Sequence, residues 1–411
     1  MLRIDRICSI LFIFAFALLI PSVKFATFID ELIAGLLGAL AIADCIINRS
    51  WRRYTLMWII IAIMTFYAIY SLIFLNYNTP AAIATDWIIQ LKPYIPFVVF
   101  LAVKPTFSGK QKQWLRYIAI FNAIICTLSF FMPKAFMATV MGHISYPGIV
   151  LLISALIYAF TAEHNRLSKP DILVIVTMLS AGILCGRSKY FGEFVTAIFF
   201  LFFYRASAFK YMSLKRRIII LTVPLLVMAV GWSKFRFYFL TGTATTYDPE
   251  VIESFARPVL YVTGALIFIN NIPFGSGLAS FCSWASADPY SSLYHEYGIS
   301  SVYGLSPTVP DFICDAFYPS LAQFGIAGTI LFIIFWIYVA RLLKKVIRQN
   351  PQDNRILFAC GWIIILTILI ESIASTTFVQ TSGMCAMMLL GAICSTAYPS
   401  VIQLKKQENE N

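Results

Sequence analysis

Three groups of polar residues stand out in a chain that is otherwise apolar. The first is Cys185-Gly186-Arg187-Ser188-Lys189-Tyr190, with two cations spaced two apart. A guanidinium fork binds phosphate oxygens bidentately, and a second cation beside it helps to neutralise a pyrophosphate. The plainer reading is snorkelling to anionic headgroups or pairing with Glu193. The second group is Ala256-Arg257-Pro258, followed by an apolar run and then Pro273-Phe274-Gly275-Ser276-Gly277. Glycines so placed permit tight turns and close approach of backbone to a ligand, or simply a structural turn. The third is Asp311-Phe312-Ile313-Cys314-Asp315, ahead of Gln323-Phe324-Gly325. A carboxylate such as Asp315 can cap a helix, act as general base on a sugar hydroxyl, or pair with Arg187 or Arg257, and these readings stay open.

The elements that must hold these residues follow from composition. Of 411 residues 60% are hydrophobic and only 12% are charged, about half the charged share of an ordinary soluble domain. A freely soluble protein is excluded. Hydropathy predicts an all-α integral membrane protein with about twelve spans, near 7–21, 25–47, 55–75, 83–103, 115–132, 146–162, 172–186, 191–206, 218–232, 316–340, 356–377 and 381–399. This divides the chain into a nine-helix membrane segment (1–232), a long outer loop (233–315) and a three-helix membrane segment with a short tail (316–411). The apolar run 259–269 within the loop is read as an interfacial or re-entrant helix, because a thirteenth crossing would carry a loop with five cations outside.

Charge then gives sidedness. The net charge is +12. With alternate loops assigned to one side, 23 of the 31 Lys and Arg fall together, which places both termini in the cytoplasm. Scattered through short loops, these cations form no nucleic-acid face. On the opposite side Arg187, Lys189 and Arg257 are exceptions to the rule that empties it of cations. Lys92 falls near mid-span, where an unpaired charge costs on the order of 3 kcal/mol. It needs Asp30, Glu31, Asp86 or Glu371 as a partner, and is read as structural or as lining a polar cavity for substrate.

The long loop carries most of the outward acids, Asp248, Glu250, Glu253, Asp288, Glu296, Asp311 and Asp315, and is a functional candidate or a solvated lid. The chain shows no P-loop and no GxGxxG after a strand. Its nine cysteines include no CxxC, and His143, His164 and His295 are too dispersed for a metal site. Cys282 and Cys314 could pair in an oxidising compartment, but free thiols are the favoured reading.

Gly186-Arg187-Ser188-Lys189, the Arg257 segment with its glycines, Tyr303-Gly304-Leu305-Ser306, and Asp315-Ala316-Phe317-Tyr318-Pro319 before Gln323-Phe324-Gly325 together resemble the O-antigen and capsular polysaccharide polymerases of the O-antigen ligase/polymerase superfamily. The resemblance implies a metal-independent inverting glycosyltransferase of the bacterial inner membrane, active on its periplasmic face and needing no cofactor. Its substrate would be a polyprenyl-pyrophosphate-linked glycan in the lipid bilayer, with a chain-length regulator and a flippase as partners and no nucleic acid. Carried over, Arg187 and Arg257 hold the pyrophosphate and Lys189 assists; Asp315 is left as the best candidate for the base, and Asp311 and Lys92, chosen from their own positions in the chain, are the remaining candidates for substrate contact. Ligase-type members carry His-Asn where this chain has Cys314-Asp315, which favours polymerase over ligase. A lipid-linked glycan flippase is the third reading; transporters spread charge around a central cavity, whereas here it gathers at one face.

Overall fold

The computed structural model describes residues 4–162, 167–204 and 256–397. The expected span 218–232, the loop residues Lys234, Arg236, Asp248, Glu250 and Glu253, and His164 lie outside them. Regular secondary structure among the described residues is helical, with one isolated bridge between Ser306 and Val309. The principal helices are α1 (Ile4–Ala17), α2 (Ile29–Asn48), α3 (Thr55–Tyr70), α4 (Pro80–Leu91), α5 (Tyr94–Val103), α6 (Gly109–Ser129), α7 (Lys134–Val140), α8 (Tyr146–Phe160), α9 (Lys169–Ala181), α10 (Ser188–Ile198), α11 (Ala256–Asn270), α12 (Gly325–Gln349), α13 (Arg355–Glu371) and α14 (Thr381–Ser395).

Local chemistry sets several of the helix starts. Thr79 caps α4 by accepting from the Ala82 amide, with Pro80 in the first turn. Ser108 with Gln111 and Ser168 with Asp171 form capping boxes at α6 and α9. Three described stretches are long and apolar enough to cross a membrane: Trp51–Leu75, Pro80–Val103 and Gly325–Gln349. Shorter apolar helices include α8, α11 and α14. Large apolar side chains of α3 and α12, among them Phe66, Ile69, Ile330 and Ile333, remain exposed. A surface of that kind suits hydrocarbon rather than water, and the fold is that of an α-helical membrane protein.

The core is built around α14. Every residue of it is buried, as expected of a helix apolar on all sides. It packs most closely on α5, where a Cβ at Gly391 would meet the Phe97 carbonyl at 2.4 Å. The absent side chain lets the two backbones approach, the usual device where lipid supplies no hydrophobic drive between helices.

Two expected spans are rearranged. The stretch 83–103 is not one helix: α4 ends at Leu91 and α5 begins at Tyr94, with Lys92-Pro93 between them. Proline cannot donate to the preceding turn, so the ladder breaks there. Lys92 is 5% exposed, and its ammonium lies 2.7 Å from Asp30 and 2.6 Å from Glu31, in the first turn of α2. Two of the four expected partners are thus the real ones. The helix expected from 316 begins instead at Gly325, after a 3-10 turn over Tyr318–Gln323. Gly325 has φ +58°, and an added Cβ would meet the Gly275 amide nitrogen at 2.4 Å, so only glycine lets the chain turn into α12 here.

The segment between α11 and α12 is ordered by the α3–α4 connection. The Asn78 amide donates to the carbonyls of Ala279, Ala285 and Pro289 at 3.0, 3.1 and 2.8 Å. Asp86 accepts from the Ala279 amide and Ser71 Oγ from that of Leu278, both at 2.7 Å. Tyr67 donates to the Phe324 carbonyl at 2.8 Å.

Candidate functional site

The residues around Arg187 form a turn between two helices. After α9 the chain makes a 3-10 turn over Gly182–Cys185, passes through Gly186 at φ +63°, extends at Arg187 and enters α10 at Ser188. Tyr190 pins this turn by donating to the Leu179 carbonyl at 2.8 Å, across a Gly182 where any side chain would strike the phenol. Arg187 and Lys189 are thereby presented together at the N-terminal end of α10, where the backbone dipole also favours anions.

Each cation of the site is met by a residue from elsewhere in the chain. Arg187 Nη2 lies 3.0 Å from His143 Nε2, on the turn between α7 and α8. Lys189 Nζ lies 2.8 Å from Glu371 Oε2 at the end of α13, and Thr377 donates to the same oxygen at 2.6 Å. Arg257, in the first turn of α11, forms an ion pair with Asp315. The two pairs are joined through the segment after α13: the Phe317 amide donates to the Ser372 carbonyl at 3.0 Å, and Tyr261 of α11 donates to that of Ile373 at 2.8 Å. Glu193, named above as a partner for the cations, is fully buried one turn beyond Lys189, with Glu371 as its carboxylate neighbour.

The charges act on one another across this cluster. Burial lowers the basicity of His143, and Arg187, Lys189 and Arg257 lower it further. Burial raises the pKa of Asp315, against the pull of Arg257, Lys189 and Arg187. Three cations from two separated segments thus bear on the same imidazole and the same carboxylate. Such an arrangement can hold a multiply charged anion and leave a proton acceptor beside it.

The structure therefore brings together Arg187, Lys189, Arg257 and Asp315. Asp315 is not a helix cap, because α12 starts ten residues later and the carboxylate is engaged with Arg257. Lys92 belongs to the ion cluster with Asp30 and Glu31, and Asp311 is exposed; neither makes a described bond to these four residues. His143 and Glu371 complete the cluster and were not assigned to it from sequence. The one signal for His143 is its place in a short loop on the same predicted side as Arg187. His295 packs edge-on against Tyr290, at 5.3 Å between ring centres. Cys282 and Cys314 are unbonded thiols, Cys282 Sγ facing the carbonyls of Ile313 and Ala316 at 3.1 and 3.2 Å. Among the described residues no three His, Cys, Asp or Glu side chains gather to hold a metal ion.

Comparison with known protein families, with curated proteins and with solved structures finds no match to this chain.

Proposed function

We propose that the protein polymerises polyprenyl-pyrophosphate-linked oligosaccharide repeat units of O-antigen, capsule or exopolysaccharide at the periplasmic face of the bacterial inner membrane, as a metal-independent inverting glycosyltransferase. Twelve spans with both termini cytoplasmic put the Arg187–Asp315 end of the bundle on that face. The observation that carries the reading is the convergence of Arg187, Lys189 and Arg257 beside Asp315 and His143. A diphosphate leaving group gains negative charge as the glycosidic bond breaks, and fixed cations stabilise that charge more in the transition state than in the ground state. Arg187 and Arg257 hold the pyrophosphate and Lys189 assists. Asp315 aims the Arg257 guanidinium and offers a carboxylate beside the acceptor hydroxyl. The exposed apolar face of α11, with Val262, Leu266 and Ile269, lies along the membrane interface and sets Arg257 at headgroup depth.

The test is genetic. In a strain lacking the native gene, Arg187→Ala and Arg257→Ala each abolish long glycan chains and leave single repeat units attached to core. Chains of normal length in both variants overturn the pyrophosphate clamp. Long chains stranded on the lipid carrier identify a ligase instead.

A further inference from the structure

We propose that His143 is the proton acceptor of this site, taking the acceptor hydroxyl proton on Nε2. The inference rests on the glycosyltransferase reading and names the base within it. An arginine side chain carries five donors and no acceptor, so the contact of 3.0 Å between Arg187 Nη2 and His143 Nε2 requires a lone pair on Nε2. The ring proton then sits on Nδ1, which faces Ser145 Oγ at 2.6 Å and donates to it. The Ser145 amide also approaches Nδ1 as a donor, at 3.2 Å; a neutral ring accepts at one nitrogen only, and the shorter contact, from the charged guanidinium, assigns the lone pair to Nε2 in this proposal.

The surroundings keep this imidazole neutral. Arg187 and Lys189 face it from the start of α10 and Arg257 from α11, against one carboxylate, Glu371, at the end of α13. On its own turn, Gly142 stands beside the aliphatic stem of Lys24. Asp315, the alternative acceptor, is engaged by Arg257. Arg187 also links the base to the substrate. In the absence of an anion its guanidinium covers the Nε2 lone pair, and a diphosphate drawing on the same donors uncovers it beside the sugar.

The step balances as a displacement. The acceptor hydroxyl oxygen forms the new bond to the anomeric carbon as the bond from that carbon to the phosphate oxygen breaks. The bonding pair leaves with the polyprenyl pyrophosphate, and the hydroxyl proton passes to His143 Nε2, which releases it to solvent after the product leaves.

The experiment uses full-length protein in proteoliposomes, with lipid-linked repeat units extracted from a strain lacking the gene. Polymer formation against pH should hold through neutrality and fall as pH drops through a midpoint below 6.5, the ordinary histidine value. His143→Gln should lower kcat by about 10²–10⁴-fold with little change in KM, and should flatten the acid limb. Imidazole added to His143→Ala should restore part of the rate, which shows that the variant is folded. Ser145→Ala keeps the ring, and should move the acid midpoint while leaving more activity than either His143 variant. An acid limb that persists in His143→Gln and vanishes in Asp315→Asn assigns the proton to Asp315 and overturns the proposal. Failure of the functional reading has a different signature: Arg187→Ala and Arg257→Ala that keep full polymer length.

Discussion

Lys189 and Glu371 stand 182 positions apart and meet at 2.8 Å. The lysine lies in the first turn of α10 and the glutamate closes α13, so one buried pair fixes the Arg187 turn against the far end of the chain. The Glu371 side chain is 4% exposed and Thr377 donates to the same oxygen. Glu371 is thereby committed to the fold, and Lys189 is held where its charge reaches both His143 and Asp315.

Removing one member of this pair leaves the other buried without its counter-charge. Lys189→Met should therefore destabilise the protein by about 3–5 kcal/mol, and Lys189→Met with Glu371→Met should recover most of the loss. Thermal unfolding in detergent is the measurement, and a double variant no more stable than the single one would show that the pair is not what holds the turn.

Lys92 should behave differently, since it answers Asp30 and Glu31 rather than the cation cluster. Lys92→Met should lower the unfolding temperature, yet glycan chain length per folded molecule should not change. Shortened chains at an unaltered unfolding temperature would return Lys92 to a role in substrate contact.

Gly275 and Gly325 pack back to back, each amide nitrogen 2.4 Å from where the other's Cβ would stand, and both have positive φ. Alanine at either position should cost well over the 1–2 kcal/mol of the left-handed conformation alone. Gly298 also has positive φ but open space around it, so Gly298→Ala should cost about 1 kcal/mol. Equal unfolding temperatures for Gly275→Ala and Gly298→Ala would contradict the close approach.

Asp86 is fully buried and accepts from the Ala279 amide. Asp86→Ala strands that donor, at about 1–3 kcal/mol, and should loosen the segment that Asn78 also holds. Limited proteolysis should then cut faster between Leu278 and Pro289. An unchanged cleavage rate would mean that Asn78 and Ser71 suffice to hold it.

Much of the fold was legible because hydropathy and charge act locally. The apolar stretches and the shortage of cations that made Arg187, Lys189 and Arg257 conspicuous can be read along the chain, whereas hydropathy reads 83–103 as one span and only the structure shows the break at Lys92-Pro93. The start of α12 could not, because hydropathy windows smooth over the Pro319 and Gln323 of Tyr318–Phe324, and the packing of Gly275 on Gly325 sets where the chain turns into the helix. Lys92 announced its need for an acid, but the choice among Asp30, Glu31, Asp86 and Glu371 depended on which helix lay beside it.

Residue type and spacing by themselves determined that this is a helical membrane protein, and which cations break its charge pattern. Tertiary structure alone decided that Arg257 meets Asp315, that Lys189 meets Glu371, and that His143 lies against Arg187. The physical reason is range. Hydrophobic patterning is a property of consecutive residues, whereas pairing energies depend on distances of a few ångströms between side chains that the sequence separates by tens or hundreds of positions.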